Sequence, residues 1–353
     1  MTNDYLKLTA YFGERARAGN RFLSNALLDV YGDAEVATSV VLRGIASFGP
    51  RHQLRSDQTL SMSEDPPVAV AAVDVADKIA ALADRVVGLT PRGLITLERA
   101  RLVSLPDAVT SDPAKLTVYV GRQTRVGGQN AYHAICDALY RRGFAGASVF
   151  LGVDGTSHGR RTRARFVSRN SDVPVMIIAV GSARQVSEAV ADLGTIPGDP
   201  LWTVERVQVC KRDGILVSRP TALPATDDDA RPLWQKLMIY TSEATRHDNV
   251  PIHRALVRRL LDTDVVSGAT VLRGVWGFHG DHRPHGDRPI QLGRRVPVTT
   301  IIVDTPARIA ASFEIVDELT TEHGLVTSEL VPALVSIDGP TRIGDVTLAH
   351  YDY

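Results

Sequence analysis

Short apolar runs alternate with polar stretches along the chain, and the runs recur three times in one order. Three segments open alike: LKLTAYFG (6–13), AKLTVYVG (114–121) and QKLMIYTS (235–242). Each alternates as a half-buried strand does. Tyr11 lies 33 residues before Gly44, Tyr119 lies 33 before Gly152, and Tyr240 lies 34 before Gly274. Around those glycines stand VLRGIASFG (41–49), FLGVDGTS (150–157) and VLRGVWGFHG (271–280). A proline then opens another apolar run in PPVAVAAVD (66–74), VPVMIIAVG (173–181) and VPVTTIIVD (296–304). Self-similarity at a fixed spacing is read before any local motif, and here it means three repeats.

Each repeat predicts strand, helix, strand, strand, helix, strand. The first helices fall at about 22–32, 130–142 and 251–262, and the second at 76–88, 183–194 and 306–319, with apolar residues three and four apart. The second strand is expected to end near the Gly44, Gly152 and Gly274 landmarks. A long polar loop follows, and the strands around it pair as a hairpin. GLITLERARLV, PLWTVERVQVC and GLVTSELVPAL close the units. Right-handed crossovers make each a ferredoxin-like βαββαβ unit with both helices on one face. The strands read as nearly continuously apolar (Leu8, Ala10, Val40, Leu42, Val68), which implies burial on both faces. The expected fold class is therefore α+β, with three ferredoxin-like repeats packed as a pseudo-three-fold trimer within one chain. Expected boundaries are 1–105, 114–211 and 233–335, with a tail at 336–353 whose place is open. The linkers 104–113 and 211–234 are rich in Pro, Asp, Thr and Ala.

Composition changes this picture little. Lys+Arg and Asp+Glu both count 40, so bulk charge gives no argument for nucleic acid. Two cysteines without CxxC spacing argue against a disulfide framework or a cysteine zinc site. The stretch MTNDYLKLTAYFGERARAG has no apolar run of signal-peptide length, so a cytoplasmic protein is expected.

The motifs VLRGIASFG, SEDPPVAVAAVD and GLITLE, and again VLRGVWGFHG, VPVTTIIVD and GLVT, resemble the PII-like proteins of domain-of-unknown-function family 190. VFLGVDGTS, VPVMIIAVG and PLWT mark the second repeat as a divergent copy. The resemblance implies a homotrimeric architecture, here fused into one chain that acts as a monomer. It implies a small anionic ligand, often an adenine nucleotide, in the clefts between units. It also implies a protein partner, such as a membrane channel or transporter, reached through the long loop between the second and third strands. It implies no catalysis and no cofactor.

Candidate ligand contacts are Arg43-Gly44 and Arg273-Gly274, where a guanidinium and nearby backbone N–H groups suit an anion. A structural arginine with a glycine serving the backbone is the competing reading. The second repeat has Leu151-Gly152 there. In the turn before the last strand, the resemblance points to Arg92-Gly93 and His323-Gly324, against an ordinary glycine turn. The long loop of the second repeat is basic (Arg160, Arg161, Arg163, Arg165, Arg169) and suits an anionic ligand or partner, or plain solvation. It lacks the interleaved aromatics of a nucleic-acid platform. In GFHGDHRPHGDR (277–288), His279, His282 and His285 are weak metal candidates. Only His282 has a counterpart, His52, in the first repeat, and both are read as loop or partner residues. The histidines are expected to make this loop sensitive to pH near neutrality. No Walker loop, GxGxxG, HExxH or GxSxG is present, so a binding protein is expected. A partner-binding module without a ligand, and a metal enzyme using the histidine loop, are the alternatives. No paired carboxylates are read as recurring in all three repeats; Asp74 and Asp304 correspond, but Gly181 takes their place in the second.

Overall fold

The computed structural model describes residues 4–56, 65–103, 112–163, 173–280, 282–286 and 296–351. The opening strands are Asp4–Gly13, Pro113–Gly121 and Trp234–Ser242. Each lies between the third strand (Pro67–Val75, Pro174–Ser182, Pro297–Asp304) and the closing strand (Arg92–Leu102, Leu201–Arg206, Leu325–Val331), antiparallel to both. The second strand pairs outside the third. The first helices are Leu23–Asp33, Ala131–Arg141 and Ile252–Thr263, and the second are Ala76–Leu89, Ala183–Leu193 and Pro306–Leu319. The expected helices thus stand within a residue or two of their places.

Alternation along the strands sorts the core into two layers. On one face Leu6, Leu8 and Val70 pack under helix residues Leu27 and Ile79. Leu116 and Ile177 with Ile135 and Val186, and Ile239 and Ile302 with Leu256 and Phe313, repeat that arrangement. The opposite faces meet in a fourth core drawn from all three repeats, including Val40, Ala71, Phe150, Ile178, Met238 and Leu272. Burying each large aliphatic side chain stabilises by about 1.5–3 kcal/mol. Separate units would leave that face wet.

The second strands depart from expectation. They do not stop at the glycine landmarks but cross there to a neighbouring repeat. Thr38–Phe48 runs through Gly44, and its far half pairs with Ala269–Arg273 of the third repeat. Beyond Gly152, Asp154–Ser157 pairs with the first repeat's strand, and beyond Gly274, Trp276–His279 pairs with Gly146–Leu151 of the second. The glycines do not serve positive φ here. A Cβ at Gly44 would stand 2.8 Å from the Val271 carbonyl oxygen, one at Gly152 2.8 Å from Val40 Cγ2, and one at Gly274 2.9 Å from the Val149 carbonyl oxygen. Their missing side chains let neighbouring strands close up.

The closing strands also join the repeats. The end of the first pairs with the second's closing strand, and Gln208–Arg212 pairs with the third's. Ala333–Asp338 pairs with the start of the first's. Gln208–Arg212 forms a hairpin with Ile215–Leu216 in the second linker, which the sequence does not predict, and the tail, whose place the sequence leaves open, adds Thr341–Asp345 in a hairpin with Ala333–Asp338. No helix among the described residues is long and apolar enough to cross a membrane.

Candidate functional site

At the centre, the cross-strand pairs Lys7–Glu98, Lys115–Glu205 and Lys236–Glu329 bring six charges together. Each lysine bonds its own glutamate and the next repeat's. Lys7 Nζ stands 2.9 Å from Glu98 Oε2 and 2.9 Å from Glu205 Oε1. Lys115 Nζ is 2.8 Å from Glu205 Oε2 and also pairs with Glu329. Lys236 Nζ is 2.8 Å from Glu329 Oε2 and also pairs with Glu98. All six are buried. Burial works against every charge. Against it, the Lys236, Lys7 and Lys115 ammonium groups hold the Glu98 carboxyl well below its usual range. Burial likewise opposes the Glu329 charge, but Lys115 and Lys236 pull that carboxyl down. Lys115 titrates below the usual lysine range because burial outweighs Glu205 and Glu329.

A single carboxylate therefore recurs in every repeat, paired with a lysine rather than with a second carboxylate, at a position the sequence reading did not single out. The sign was the same charged residue at one place in three otherwise apolar strands. Glu98, Glu205 and Glu329 are also the one group of metal-ligating residues that converges among the described residues. Three ammonium groups already pair with them, although Glu329 Oε1 is buried without a hydrogen-bond partner.

At the rim the three inter-repeat clefts differ. Between the first and second repeats a cleft of about 570 Å³ opens, within the range of small-molecule sites. Tyr5, Thr38 and Leu102, Tyr119–Gly121, Ser157, His158, Arg160–Thr162 and Gly198–Leu201 line it. Arg160 is exposed beside it, with no ion-pair partner among the described residues. Arg161 also lines it, but its guanidinium is held by Asp154 at 2.7 Å, Asn25 at 2.6 Å and Asp29 at 3.2 Å. Arg163 reaches Asp154 at 3.7 Å, and Arg165 and Arg169 lie outside the described residues.

The cleft between the second and third repeats takes the linker hairpin. Gly214 N–H donates to the Gly324 carbonyl at 3.1 Å, and Lys211 pairs with Asp317 at 2.6 Å. A Cβ on Gly214 would stand 2.6 Å from the Thr321 carbonyl oxygen. The cleft between the third and first repeats takes the other hairpin. Gly339 N–H donates to the Pro91 carbonyl at 3.1 Å, and the Asp338 carboxylate accepts from Arg51 and Arg92.

The remaining candidates separate accordingly. Arg43 pairs with Glu14 and Arg273 with Glu243 at 2.7 Å, each inside its own repeat. The second repeat has Leu151 and Arg122 at these positions, so arginine and glutamate are lost together. Arg92 faces Asp338. His323 is exposed at the turn under the linker hairpin. Gly93 and Gly324 take φ of 153° and 122°, so both serve the backbone. Pro200 stands in their place in the second repeat, where the cleft is open. His52 Nε2 lies 3.1 Å from Asp264 Oδ1. Its backbone N–H donates to the Gly49 carbonyl, and that of His282 donates to the His279 carbonyl. His279, His282 and His285 do not bring ligand atoms together among the described residues; Asp281 and Asp287 lie outside them. Burial, with His285, His282 and His323 nearby, pushes His279 down to about 4. His279 stays neutral near pH 7 and so adds nothing to the expected pH sensitivity of this loop.

Similarity to solved structures is low. An aspartate kinase from Synechocystis aligns with a TM-score of 0.23 at 11% identity, over 95% of this chain and 46% of the kinase. The chain thus spans about half that protein's length. An unknown protein from Galdieria sulphuraria aligns with a TM-score of 0.18 at 11% identity, over 62% of this chain and 97% of its own. Neither bears on function. The DUF190 family model, described as an uncharacterized ACR, matches residues 5–102, 113–209 and 234–333, each running from an opening strand to the end of a closing one. With three matches across most of its length, the chain belongs to the DUF190 family and carries it in three tandem copies.

Proposed function

We propose that the protein is a PII-like ligand sensor. In this reading three ferredoxin-like units are fused about a pseudo-three-fold axis, and a small anionic ligand, such as an adenine nucleotide, binds the cleft between the first and second repeats. The cyclic order of strand pairings and the Lys–Glu ring support the architecture. The observation that carries the function is the open cleft of about 570 Å³ with Arg160 at its mouth. A guanidinium there suits phosphate, while Tyr5, Tyr119 and Leu201 in the lining suit a base or another flat ring. Arg160 starts the stretch that leads into the second repeat's long basic loop, so occupancy of the cleft would bias that loop and its contact with a protein partner. That partner is proposed as a membrane transporter or channel on the resemblance alone. The protein acts in the cytoplasm, as a monomer and without chemistry of its own.

Calorimetry of the folded chain against ATP, ADP, AMP, cyclic AMP and cyclic di-AMP tests the reading. Binding to one of them, weakened about tenfold or more by Arg160→Ala, is expected; silence across the panel overturns the nucleotide version. A second reading, a partner-binding module without a ligand, draws on the two clefts that the chain's own hairpins fill. It predicts a partner whose binding ignores every nucleotide in the panel.

A further inference from the structure

We infer that Arg51 and Arg92 form a second anion site, between the third and first repeats, which the chain keeps closed with its own Asp338 carboxylate. Arg51 lies on the first repeat's long loop, and Arg92 begins that repeat's closing strand. Asp338 arrives from far along the chain, at the end of the strand Ala333–Asp338. Arg51 Nε donates to Asp338 Oδ2 at 2.8 Å, and Arg92 Nε donates to Oδ1 at 2.7 Å. Each oxygen thus serves a different guanidinium, in the arrangement two arginines adopt around a phosphate.

The charges do not balance. Two cations face one carboxylate, and neither arginine has another ion-pair partner among the described residues. A phosphate ester or polyphosphate matches that excess better than the carboxylate does. Hydrogen bonds from Arg51 and Arg92 hold the Asp338 carboxyl below its usual range, so the closure stays charged at neutral pH.

The placement also permits release. Asp338 is the last residue of a ladder that pairs Ala333–Asp338 with Arg92–Leu97. Letting the carboxylate go leaves the earlier rungs intact. The hairpin's second strand, Thr341–Asp345, is exposed along its whole length, so little packing holds the tip down. In the cleft between the second and third repeats, the hairpin tip makes no such contact among the described residues. Asp213 there lies 3.7 Å from its chain neighbour Arg212. The closure by a carboxylate on two arginines thus belongs to one cleft. It also ties the first repeat's long loop, through Arg51, to the third repeat's hairpin, so an anion that displaces Asp338 would free the hairpin while keeping the loop in place.

This inference extends the ligand-site reading to a closed cleft but does not need the open cleft to bind. The test uses the full chain and inorganic triphosphate as probe, followed by calorimetry. Asp338→Asn keeps the side chain's shape and removes its charge; Asp338→Ala removes both. Each is expected to gain one triphosphate site over the parent chain, at least tenfold tighter than anything the parent shows there. Adding Arg51→Ala and Arg92→Ala removes the gained site and leaves any parent site unchanged. Circular dichroism and a thermal melt establish that each variant is folded. A folded Asp338→Asn chain with no gained site overturns the inference, as does a gained site that survives loss of both arginines. Failure of the open-cleft reading registers separately, as a parent chain that binds no nucleotide while the Asp338 variants still gain their site.

Discussion

At the centre of the molecule, each opening strand supplies a lysine and each closing strand a glutamate, and the same pairing is met three times. At the rim, the same three repeats present one open cleft and two filled by different hairpins. The difference follows from solvent. Changing one buried charge leaves its partner unpaired in a medium that cannot hydrate it. A turn at the rim can change residue, as Gly93 and Gly324 become Pro200, with water taking up the slack. Identity among repeats therefore marks the joint, and difference among them marks the rim.

The hardest blow to this comparison is a single break in the ring. Lys115→Met should cost roughly 3–5 kcal/mol, because Glu205 and Glu329 then keep buried charges with too few partners. Replacing all six ring residues together by apolar residues and glutamines should recover most of that loss. Urea unfolding measures both; a single-variant cost no larger than that of a surface pair would put the ring among solvated contacts.

Acid should act through the same ring. Glu98 and Glu329 titrate in the fold below their unfolded value of about 4.3. Their contribution is then fully present above that value and is lost as pH falls through the lower folded ones. Stability should drop steeply below about pH 4.3, and the six-fold replacement should flatten that slope. Denaturant midpoints from pH 3 to 7 read it, and an unchanged slope would assign acid sensitivity to other carboxylates.

Next in size come the crossing glycines. Gly152→Ala sets a methyl group 2.4 Å from the Pro174 carbonyl oxygen of its own repeat and 2.8 Å from Val40 Cγ2 of the first, and overpacking of this kind costs about 1–3 kcal/mol. Gly88→Ala, exposed on a helix with nothing within 4 Å of the added carbon, should instead stabilise by about 0.5–1 kcal/mol. Thermal melts compare them. Equal and small effects at both positions would mean that the strands cross without close contact.

The smallest effect is expected at Arg43. Its pair with Glu14 is more than half exposed on the arginine side, so Arg43→Ala should change stability by no more than about 1 kcal/mol. It should leave binding at the open cleft unchanged, whereas Arg160→Ala weakens it. A loss of affinity in Arg43→Ala would return that arginine to the ligand site.

The repeats and helices were legible because apolar spacing survives divergence: even the second copy keeps its proline-opened strand and both helices. The crossing at Gly44, Gly152 and Gly274 was not, since a glycine at a turn and a glycine at a close approach read alike in one sequence. The ring left a trace that period-two reading suppresses. Lys7, Lys115 and Lys236 sit at one place in the opening runs, as Glu98, Glu205 and Glu329 do in the closing ones. Alternation assigns such residues to the wet face, but here that face lies in the core shared by all three repeats. The open cleft was illegible because it depends on where hairpins from distant linkers come to rest. The contact of Arg51 with Asp338, 287 residues apart, has no local sign at all.

One rim position differs from the other two, so the number of ligands bound per chain is the most direct measure of that difference. Native mass spectrometry of the full chain with the tightest nucleotide from calorimetry should show a single bound ligand that disappears in Arg160→Ala. Two or three equivalent ligands per chain, or one that survives Arg160→Ala, would contradict it.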